Sequence, residues 1–260
     1  MNHQKMQALR DGKVIALRLP PRNEELLQGI AWGRYDKALT PAFWAGQAWL
    51  LGTDLGPLNY RLGNSLAEET AACLLGGFGI PAETGIAAFH RLQKAGILDG
   101  TPSESEIKSY LVRPIRINGR STHYRFPNQK ARYLAGCLRA LQSSPFTPEN
   151  DLELRDFLLG LPGIGQKTAS WITRNWLNSD NVAILDIHVV RACIAAGVFP
   201  TDARPENSYL ELETRYLAFS KALNVKPSIL DNIIWQVMRQ LPAAIVQKTI
   251  NSRGQILELV

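Results

Sequence analysis

Hydrophobic residues recur every three to four positions along most of the chain, which is the spacing of one face of an α-helix. In the first half, the segments with this spacing begin at a serine or a proline, and three of them carry acidic residues in their first turn. Glycine follows two of them, as is common at helix ends. The predicted helices here are SLAEETAACLLGGFG (65–79), PAETGIAAFHRLQKAG (81–96), SESEIKSYL (103–111) and PNQKARYLAGCLRALQ (127–142).

The same spacing continues to the carboxyl end, so the pattern predicts an all-α fold with little or no β-structure. Two segments depart from it. GKVIALRLPPR (12–22) is β-prone and predicts one strand or an extended arm. RPIRINGRSTHYRF (113–126) has an Asn-Gly turn between β-prone arms, which predicts a small hairpin or an ordered loop. The first 60 residues give no clear assignment.

Length, charge and cysteine content limit the possible domain organisation, binding partners and cellular compartment. A chain of 260 residues can bury a core in one compact domain or in two small lobes that share a groove. Its net charge of +6 favours a polyanionic partner without establishing one. Cys73, Cys137 and Cys193 lie too far apart for a metal knuckle and suit a reducing cytosol. No signal-like or membrane-length apolar run occurs, so we expect a cytoplasmic protein, nucleoid-associated in a prokaryote, with no membrane partner.

The segment GLPGIGQKT (160–168) is the most distinctive feature of the sequence. A Walker A loop is excluded because Gln166 separates the second glycine from the lysine. A dinucleotide fingerprint is excluded because Thr168 stands where the third glycine is required. The preceding DLELRDFLLG (151–160) has helical spacing, with Leu152 on its apolar face, so the unit is helix, tight turn, helix.

A glycine-rich turn at the start of a helix leaves backbone N–H groups unpaired and therefore favours an anion such as a phosphate. A purely structural corner between two helices is the alternative. Lys167 falls in the first turn of the second helix, where the helix dipole disfavours a cation by up to ~1 kcal/mol, and a functional role would explain this cost. Six basic residues and no acid between Arg113 and Arg132 form a second candidate for phosphate contact, or merely a solvated face.

Asp186 follows the apolar run VAIL and precedes a predicted helix, where an N-cap is its ordinary role. Taken together, LPGIGQKTASW and the aspartate of LDIHVVR, nineteen residues after Lys167, resemble the helix-hairpin-helix, Gly/Pro-rich, aspartate motif of the base-excision DNA glycosylase superfamily. The motif covers about thirty residues, and the order of the flanking helices agrees over roughly residues 64–241.

The resemblance implies two helical lobes with a DNA-binding helix-hairpin-helix (about 152–177) at the groove between them. It divides the chain into an amino-terminal segment (1–60) that packs with the carboxyl-terminal lobe, a helical lobe (61–180) and a carboxyl-terminal lobe (181–260). It implies that Lys167 is the nucleophile and Asp186 the acid that stabilises the transition state. Members with the lysine are bifunctional, since they remove the base and then cleave the abasic strand by β-elimination.

The resemblance also implies which damaged base is removed. The iron–sulfur branches carry four closely spaced cysteines, which this chain lacks, and the alkyl-base enzymes lack the lysine. The group that excises 8-oxoguanine remains, and its shorter prokaryotic branches are the most similar. By this resemblance Trp171, Asp231 and Trp235 form the base pocket. The expected contacts with the DNA backbone are Gly163, Ile164, Gly165, Gln166, Thr168, Arg125 and Lys130.

No cofactor is expected, and no iron–sulfur cluster. The resemblance implies a structural Na⁺ or K⁺ at the backbone of Leu161, Gly163 and Gly165. The expected partner is double-stranded DNA with a damaged base, bound by a monomer. Two alternatives stay open: the same chemistry on another damaged or modified purine, and a non-catalytic DNA-binding protein that uses the hairpin as a backbone clamp. Ile187 stands where many relatives carry threonine or arginine, which leaves the substrate range open.

Overall fold

A computed structural model describes residues 2–51, 60–77, 79–143 and 147–257, with the backbone alone for 253–257. The chain divides into two compact units. The first contains residues 1–58 and 180–260, and the second contains residues 59–179. The predicted all-α class with little β-structure is confirmed, because the strands form short antiparallel pairs. Residues 52–59 of the predicted amino-terminal segment lie outside the described part.

The first unit begins with two antiparallel strand pairs and one helix, and four helices near the carboxyl end complete it. Its buried core gathers around Trp44, Tyr216 and Phe219. Its elements are β1 (Gln4–Arg10), β2 (Lys13–Leu19), β3 (Glu25–Leu27), β4 (Ile30–Ala31), α1 (Pro41–Leu51), α8 (Ile187–Ala196), α9 (Pro205–Ala222), α10 (Pro227–Met238) and α11 (Ala243–Leu257).

The predicted strand 12–22 is half of a hairpin. β2 pairs with β1 over their full lengths, and the two-residue turn between them is Asp11-Gly12. Both turn residues have positive φ (49° and 72°), which is the type I′ geometry that matches the twist of the two strands. The isolated β-prone stretch therefore has a partner that the apolar pattern did not identify.

In the part that the structure describes, the second unit is helical apart from one small hairpin. Its core packs around Phe89, Leu134, Leu158 and Ile172. Its elements are α2 (Leu66–Leu75), α3 (Ala82–Lys94), a short 3₁₀ turn (Ile97–Asp99), α4 (Glu104–Leu111), β5 (Ile115–Ile117), β6 (Arg120–Thr122), α5 (Pro127–Ser143), α6 (Asp151–Leu159) and α7 (Gln166–Leu177).

Local signals in the sequence set several of these boundaries. Ser65 and Ser103 accept hydrogen bonds from Glu68 N and Glu106 N and so cap α2 and α4, as predicted. The predicted Asn118-Gly119 turn joins β5 to β6. The helical face predicted for 151–160 is wrong at Leu152, which is 45% exposed, because the buried residues of α6 are Leu154, Arg155 and Leu158.

A buried carboxylate links α2 to α7. Glu69 is fully buried, and its Oε1 accepts a hydrogen bond of 2.6 Å from Asn175 Nδ2 on α7. Its Oε2 accepts from the backbone N–H groups of Leu62 and Gly63 at 2.7 and 2.9 Å. A buried carboxylate needs such partners, because it loses its hydrogen bonds to water on burial and the apolar side chains around it cannot replace them. These bonds fix the register of α7, the helix that carries Lys167.

Candidate active site

The turn between α6 and α7 rests directly on α5. Gly163 has φ = +74°, and a Cβ atom at this position would overlap the ring of Tyr133. A Cβ at Gly136 of α5 would come within 2.9 Å of Pro162 Cγ. The Cys137 thiol donates to the Pro162 carbonyl at 3.3 Å. Two glycines without side chains therefore allow the turn and the helix to approach each other closely.

Gly165 ends the turn and precedes α7 as its N-cap residue. Its backbone is extended (φ = −101°), no side chain caps the helix, and its carbonyl accepts the first helical bond from Ala169 N at 2.9 Å. A Cβ at this position would meet no described atom within 4 Å. The first N–H groups of α7 therefore lie beside open space, at the positive end of the helix dipole, where an anion binds favourably.

The predicted backbone contacts in the turn differ in their surroundings. Gly163 and Gly165 are exposed, and Gln166 and Thr168 are half-buried. Ile164 is only 6% exposed, and its N–H already donates to the Leu161 carbonyl at 3.3 Å. Ile164 therefore anchors the turn in the core of its unit, whereas the glycines beside it face outward.

Lys167 and Trp171 lie together on one side of α7. Both are half-buried, and the Lys167 ammonium is 5.9 Å from the centre of the Trp171 ring. The indole packs on Gly76 at the end of α2, where a Cβ would lie 3.1 Å from Trp171 Cη2. The absence of a side chain at Gly76 thus provides the space for the indole. Gly76 was not among the predicted site residues, although the Gly-Gly pair that ends α2 is a visible signal of close backbone approach.

The end of α2 also binds two polar side chains. The Lys130 ammonium donates to the Leu74 carbonyl at 2.6 Å, and the Tyr124 hydroxyl donates to the Leu75 carbonyl at 2.6 Å. Burial lowers the pKa of Lys130, and the nearby charge of Lys167 lowers this pKa further. Lys130, predicted as a contact to DNA, thus has its amine on the negative end of a helix.

Arg125, the other predicted basic contact, has an exposed side chain. Its guanidinium lies 5.0 Å from the centre of the Phe126 ring, and its Nη1 donates to the Gly79 carbonyl at 3.4 Å. The guanidinium has further donors beyond this long bond. Arg125 is therefore available to an external anion, whereas the Lys130 amine is held inside its unit.

In the other unit, Asp186 is the N-cap of α8. Its Oδ1 accepts from the backbone N–H groups of His188 and Val189, both at 2.8 Å, whereas Oδ2 makes neither bond. The apolar run before it, residues 182–185, is buried, and Tyr209 both donates to the Ala183 carbonyl and accepts from Leu185 N. The carboxylate therefore has a fixed position, and the capping role inferred from sequence is present.

α10 carries the other two predicted pocket residues and packs against α8. Asp231 is 8% exposed, and Trp235 is half-buried one helical turn later. The Arg239 guanidinium lies 4.3 Å from the centre of the Trp235 ring and covers one of its faces. A planar ligand that stacks on Trp235 would therefore use the opposite face.

The cysteines have surroundings that make them unreactive. All three are buried, and burial raises the pKa of each thiol, that of Cys137 to about 12.

Among the described residues, no group of three or more His, Cys, Asp or Glu side chains is placed to hold a metal ion. Within the same part of the chain, no helix has the length and apolarity that a membrane crossing requires.

Solved structures share this fold. The crystal structure of 8-oxoguanine DNA glycosylase from Methanocaldococcus jannaschii matches 76% of this chain and 92% of its own, with a TM-score of 0.59 and 24% identity. The complex of that organism's 8-oxoguanine glycosylase/lyase with a 15mer DNA containing 8-oxoguanine matches with a TM-score of 0.52. At 24% identity, these similarities define the fold, which is that of the helix-hairpin-helix DNA glycosylases.

Sequence comparison identifies the family. The family model Ogg-HhH, 8-oxoguanine DNA glycosylase, matches residues 60–225, which is more than half of the chain. The 8-oxoguanine DNA glycosylase/AP lyase of Metallosphaera sedula is 32% identical over 156 residues, covering 58% of this chain and 72% of that protein. That of Saccharolobus solfataricus is 29% identical over 191 residues, covering 68% and 86%. The chain belongs to the 8-oxoguanine DNA glycosylase family, and the resemblance inferred from sequence is confirmed.

The two turn glycines should differ in their effect on stability. Gly163→Ala places a side chain at positive φ and against the Tyr133 ring, so we expect a loss of about 3 kcal/mol in the free energy of unfolding. Gly165→Ala meets neither obstacle and should lose only about 1 kcal/mol of this free energy, because alanine is a poorer N-cap than glycine. Denaturant unfolding of both variants measures the difference. Equal stability of the two variants would contradict the close contact between turn and helix.

Proposed function

We propose that this protein is a base-excision repair enzyme that removes 8-oxoguanine from double-stranded DNA and then cleaves the abasic strand. Family membership supports this function, since curated relatives carry the name 8-oxoguanine DNA glycosylase/AP lyase. The observation that carries the proposal is the position of Lys167, an amine in the first turn of α7 beside a glycine turn and an indole. An amine in this position can act as a nucleophile on a sugar whose phosphate backbone is bound at the turn.

The first step is displacement of the base. A damaged nucleotide leaves the duplex and enters the site, because the reacting carbon is inaccessible inside the base stack. The Lys167 ammonium first gives up a proton to solvent, and the resulting amine attacks C1′ of the sugar. The bond from C1′ to N9 of the purine breaks, and the departing base takes up a proton from solvent. The electron pair of that bond leaves with the base, so positive charge develops on the sugar in the transition state. The amine is then bound covalently to C1′.

Asp186 stabilises that positive charge in this proposal. One of its oxygens caps α8 and the other makes neither capping bond, so the residue combines a structural and an electrostatic role. The capping bonds fix the carboxylate before the substrate arrives, and no reorganisation is then required when charge develops. A fixed charge of this kind is worth more at an active site than a mobile one.

The second step cleaves the strand. Loss of the amine proton and opening of the sugar convert the covalent adduct into a Schiff base between Lys167 Nζ and C1′. The protonated imine withdraws electrons, so C2′ loses a proton and the bond from C3′ to its phosphate oxygen breaks. Hydrolysis of the conjugated imine then releases Lys167. One lysine thus accounts for both glycosylase and lyase activity.

In this proposal Trp171, Asp231 and Trp235 contact the displaced base. Trp171 and Trp235 are half-buried and each has ring surface for stacking, which contributes ~1–3 kcal/mol for one base. Asp231 lies one helical turn before Trp235 and brings a hydrogen-bond acceptor to the same helix. 8-Oxoguanine carries a hydrogen at N7 that guanine lacks, so an acceptor in the pocket distinguishes the lesion from the normal base.

The turn binds the DNA backbone through Gly163, Gly165, Gln166 and Thr168, with Arg125 as an additional phosphate contact.

A monovalent cation at the carbonyls of Leu161, Gly163 and Gly165 would support the turn. The Leu161 and Gly165 carbonyls each accept one backbone bond, and the second lone pair of each oxygen can bind a cation. The protein acts as a cytoplasmic monomer in this proposal and needs no redox cofactor or cluster.

A nicking assay tests the proposed function. Wild-type protein is incubated with end-labelled duplexes that contain 8-oxoguanine, hypoxanthine or guanine opposite cytosine. We expect strand cleavage at 8-oxoguanine alone, because the lesion-specific N7 hydrogen is required for the pocket contact. Cleavage at hypoxanthine with none at 8-oxoguanine would assign the same chemistry to another purine. Binding to all three duplexes without cleavage would indicate a non-catalytic clamp.

Substitutions at Asp186 separate its two roles. Asparagine caps a helix as well as aspartate does, so Asp186→Asn should retain the free energy of unfolding, whereas Asp186→Ala should lose about 1 kcal/mol of it. Both variants lack the charge, and we expect each to lower the single-turnover rate of base release by about 100-fold or more. Thermal unfolding and single-turnover kinetics measure the two effects. Full activity of Asp186→Asn would restrict Asp186 to the structural role.

A further inference from the structure

The β1–β2 hairpin presents a regular outer face that the proposed catalytic chemistry does not use. Side chains alternate between half-buried and exposed positions along β1, and along β2 from Val14 to Arg18. We define the outer face by its exposed residues. They are Lys5, Gln7, Leu9, Val14, Ala16 and Arg18. The hairpin lies before residue 60 and therefore outside the part of the chain that matches the family.

The tip of this face is apolar. Leu9 is 74% exposed and Val14 is 69% exposed, the highest values for large hydrophobic side chains in the described part of the chain. The two residues are direct cross-strand partners, so they form one continuous apolar surface. A single exposed aliphatic residue is common, but a paired set at the end of a hairpin indicates a contact surface.

The base of the same face is basic. Lys5 and Arg18 are cross-strand partners, and like charges opposite each other destabilise a strand pair. The hairpin contains two more basic residues, Arg10 and Lys13, and one acid, Asp11 at the turn. A polyanion bound to this face would neutralise the repulsion between Lys5 and Arg18, and the opposed pair therefore favours such a partner.

The inner face is anchored within its unit, so the outer face keeps a fixed orientation. Met6 fills the space above Gly46 of α1, where a Cβ would lie 2.9 Å from its sulfur. Arg10 donates to the carbonyls of Trp49 and Leu50 at 3.3 and 3.0 Å and so binds the end of α1. Gln4 donates to the carbonyls of Pro20 and Gly33, both at 2.9 Å. These contacts therefore hold the hairpin in place on its own unit.

We propose that the outer face of the β1–β2 hairpin is a second DNA-binding surface, which binds duplex phosphates through Lys5 and Arg18 and packs Leu9 and Val14 against a groove. This inference rests on the proposed function, because it takes duplex DNA as the substrate. Apolar side chains at the tip of a basic element are a known means of contact with sugar and base surfaces in the minor groove. The surface adds affinity outside the helix-hairpin-helix.

Charge argues against a second copy of this chain as the occupant. A symmetric dimer through the outer face would bring Lys5 and Arg18 of one copy against the same residues of the other, or against the apolar tip. Neither arrangement neutralises these charges. An anionic membrane also combines negative charge with an apolar layer, and the experiment below therefore includes vesicles.

The test uses two double variants of the full chain and one matched control. Lys5→Gln with Arg18→Gln removes the opposed charges and should leave stability equal or higher, since it removes a repulsion. Leu9→Ser with Val14→Ser removes the apolar tip at two exposed positions. Arg215→Gln with Lys221→Gln removes the same number of charges from α9, where three acidic residues make a phosphate contact unfavourable.

Fluorescence anisotropy measures binding to a short labelled duplex that holds a tetrahydrofuran abasic analogue, over a series of KCl concentrations. The charge variant should weaken binding about tenfold and reduce the slope of log K against log[KCl] by about 2. The tip variant should weaken binding about threefold or more with an unchanged slope, because it loses apolar contact only. The control should bind as the wild type does.

If the two hairpin variants bind DNA as the control does while the wild type binds and nicks its substrate, the inference is overturned and the proposed function stands. If the wild type itself neither binds nor nicks damaged DNA, both fail together. Binding of the wild type to phosphatidylserine vesicles that the hairpin variants lose, with unchanged DNA affinity, would reassign the surface to membranes.

Discussion

The close contact between the glycine turn and α5 determines where the Lys167 side chain begins. Gly163 takes a conformation that favours glycine, and the ring of Tyr133 fills the space that any side chain there would need. Pro162 rests on Gly136 in the same way, one turn further along α5. α7 starts only three residues after Gly163, so its first turn inherits its position from this contact. Lys167 belongs to that first turn.

The carboxyl end of α2 is the second support of the site. Its last carbonyls receive hydrogen bonds from Lys130 and Tyr124, and the bare backbone of Gly76 receives the Trp171 ring. The two amines nearby, Lys130 and Lys167, repel each other enough to lower the pKa of Lys130 beyond the effect of burial. A site with this positive potential suits a substrate whose reacting sugar is flanked by phosphates.

Short-range signals made much of this arrangement predictable. Serine caps, glycine ends and the Asn118-Gly119 turn act within a few residues, and the structure places them as the sequence indicated. The lysine and the aspartate were visible because their motif is local. Contacts between distant segments were not visible in this way. Two examples are the packing of Trp171 on Gly76 and the hydrogen bond from Lys130 to the Leu74 carbonyl. Both depend on how the helices pack against each other, which the spacing of hydrophobic residues does not determine.

The amino-terminal hairpin shows the same limit. Asp11-Gly12 is a strong turn signal, but its first arm contains no β-branched residue and gives a weak strand pattern. Anchoring by Met6 and Arg10 on α1 compensates for this weak propensity through tertiary contacts. The exposed face of the hairpin could therefore not be predicted from the sequence. It depends on the pairing of Lys5 with Arg18 and of Leu9 with Val14, which only the folded chain defines.

Borohydride trapping shows whether Lys167 is the nucleophile, because reduction fixes a Schiff base as a stable protein–DNA adduct. Wild type, Lys167→Gln and Lys130→Gln are each incubated with a duplex that holds 8-oxoguanine opposite cytosine and with an undamaged duplex. We expect adducts for wild type and Lys130→Gln on the damaged duplex alone, and none for folded Lys167→Gln. An adduct that persists in Lys167→Gln, or none with the wild type, would contradict the assignment of Lys167 as the nucleophile.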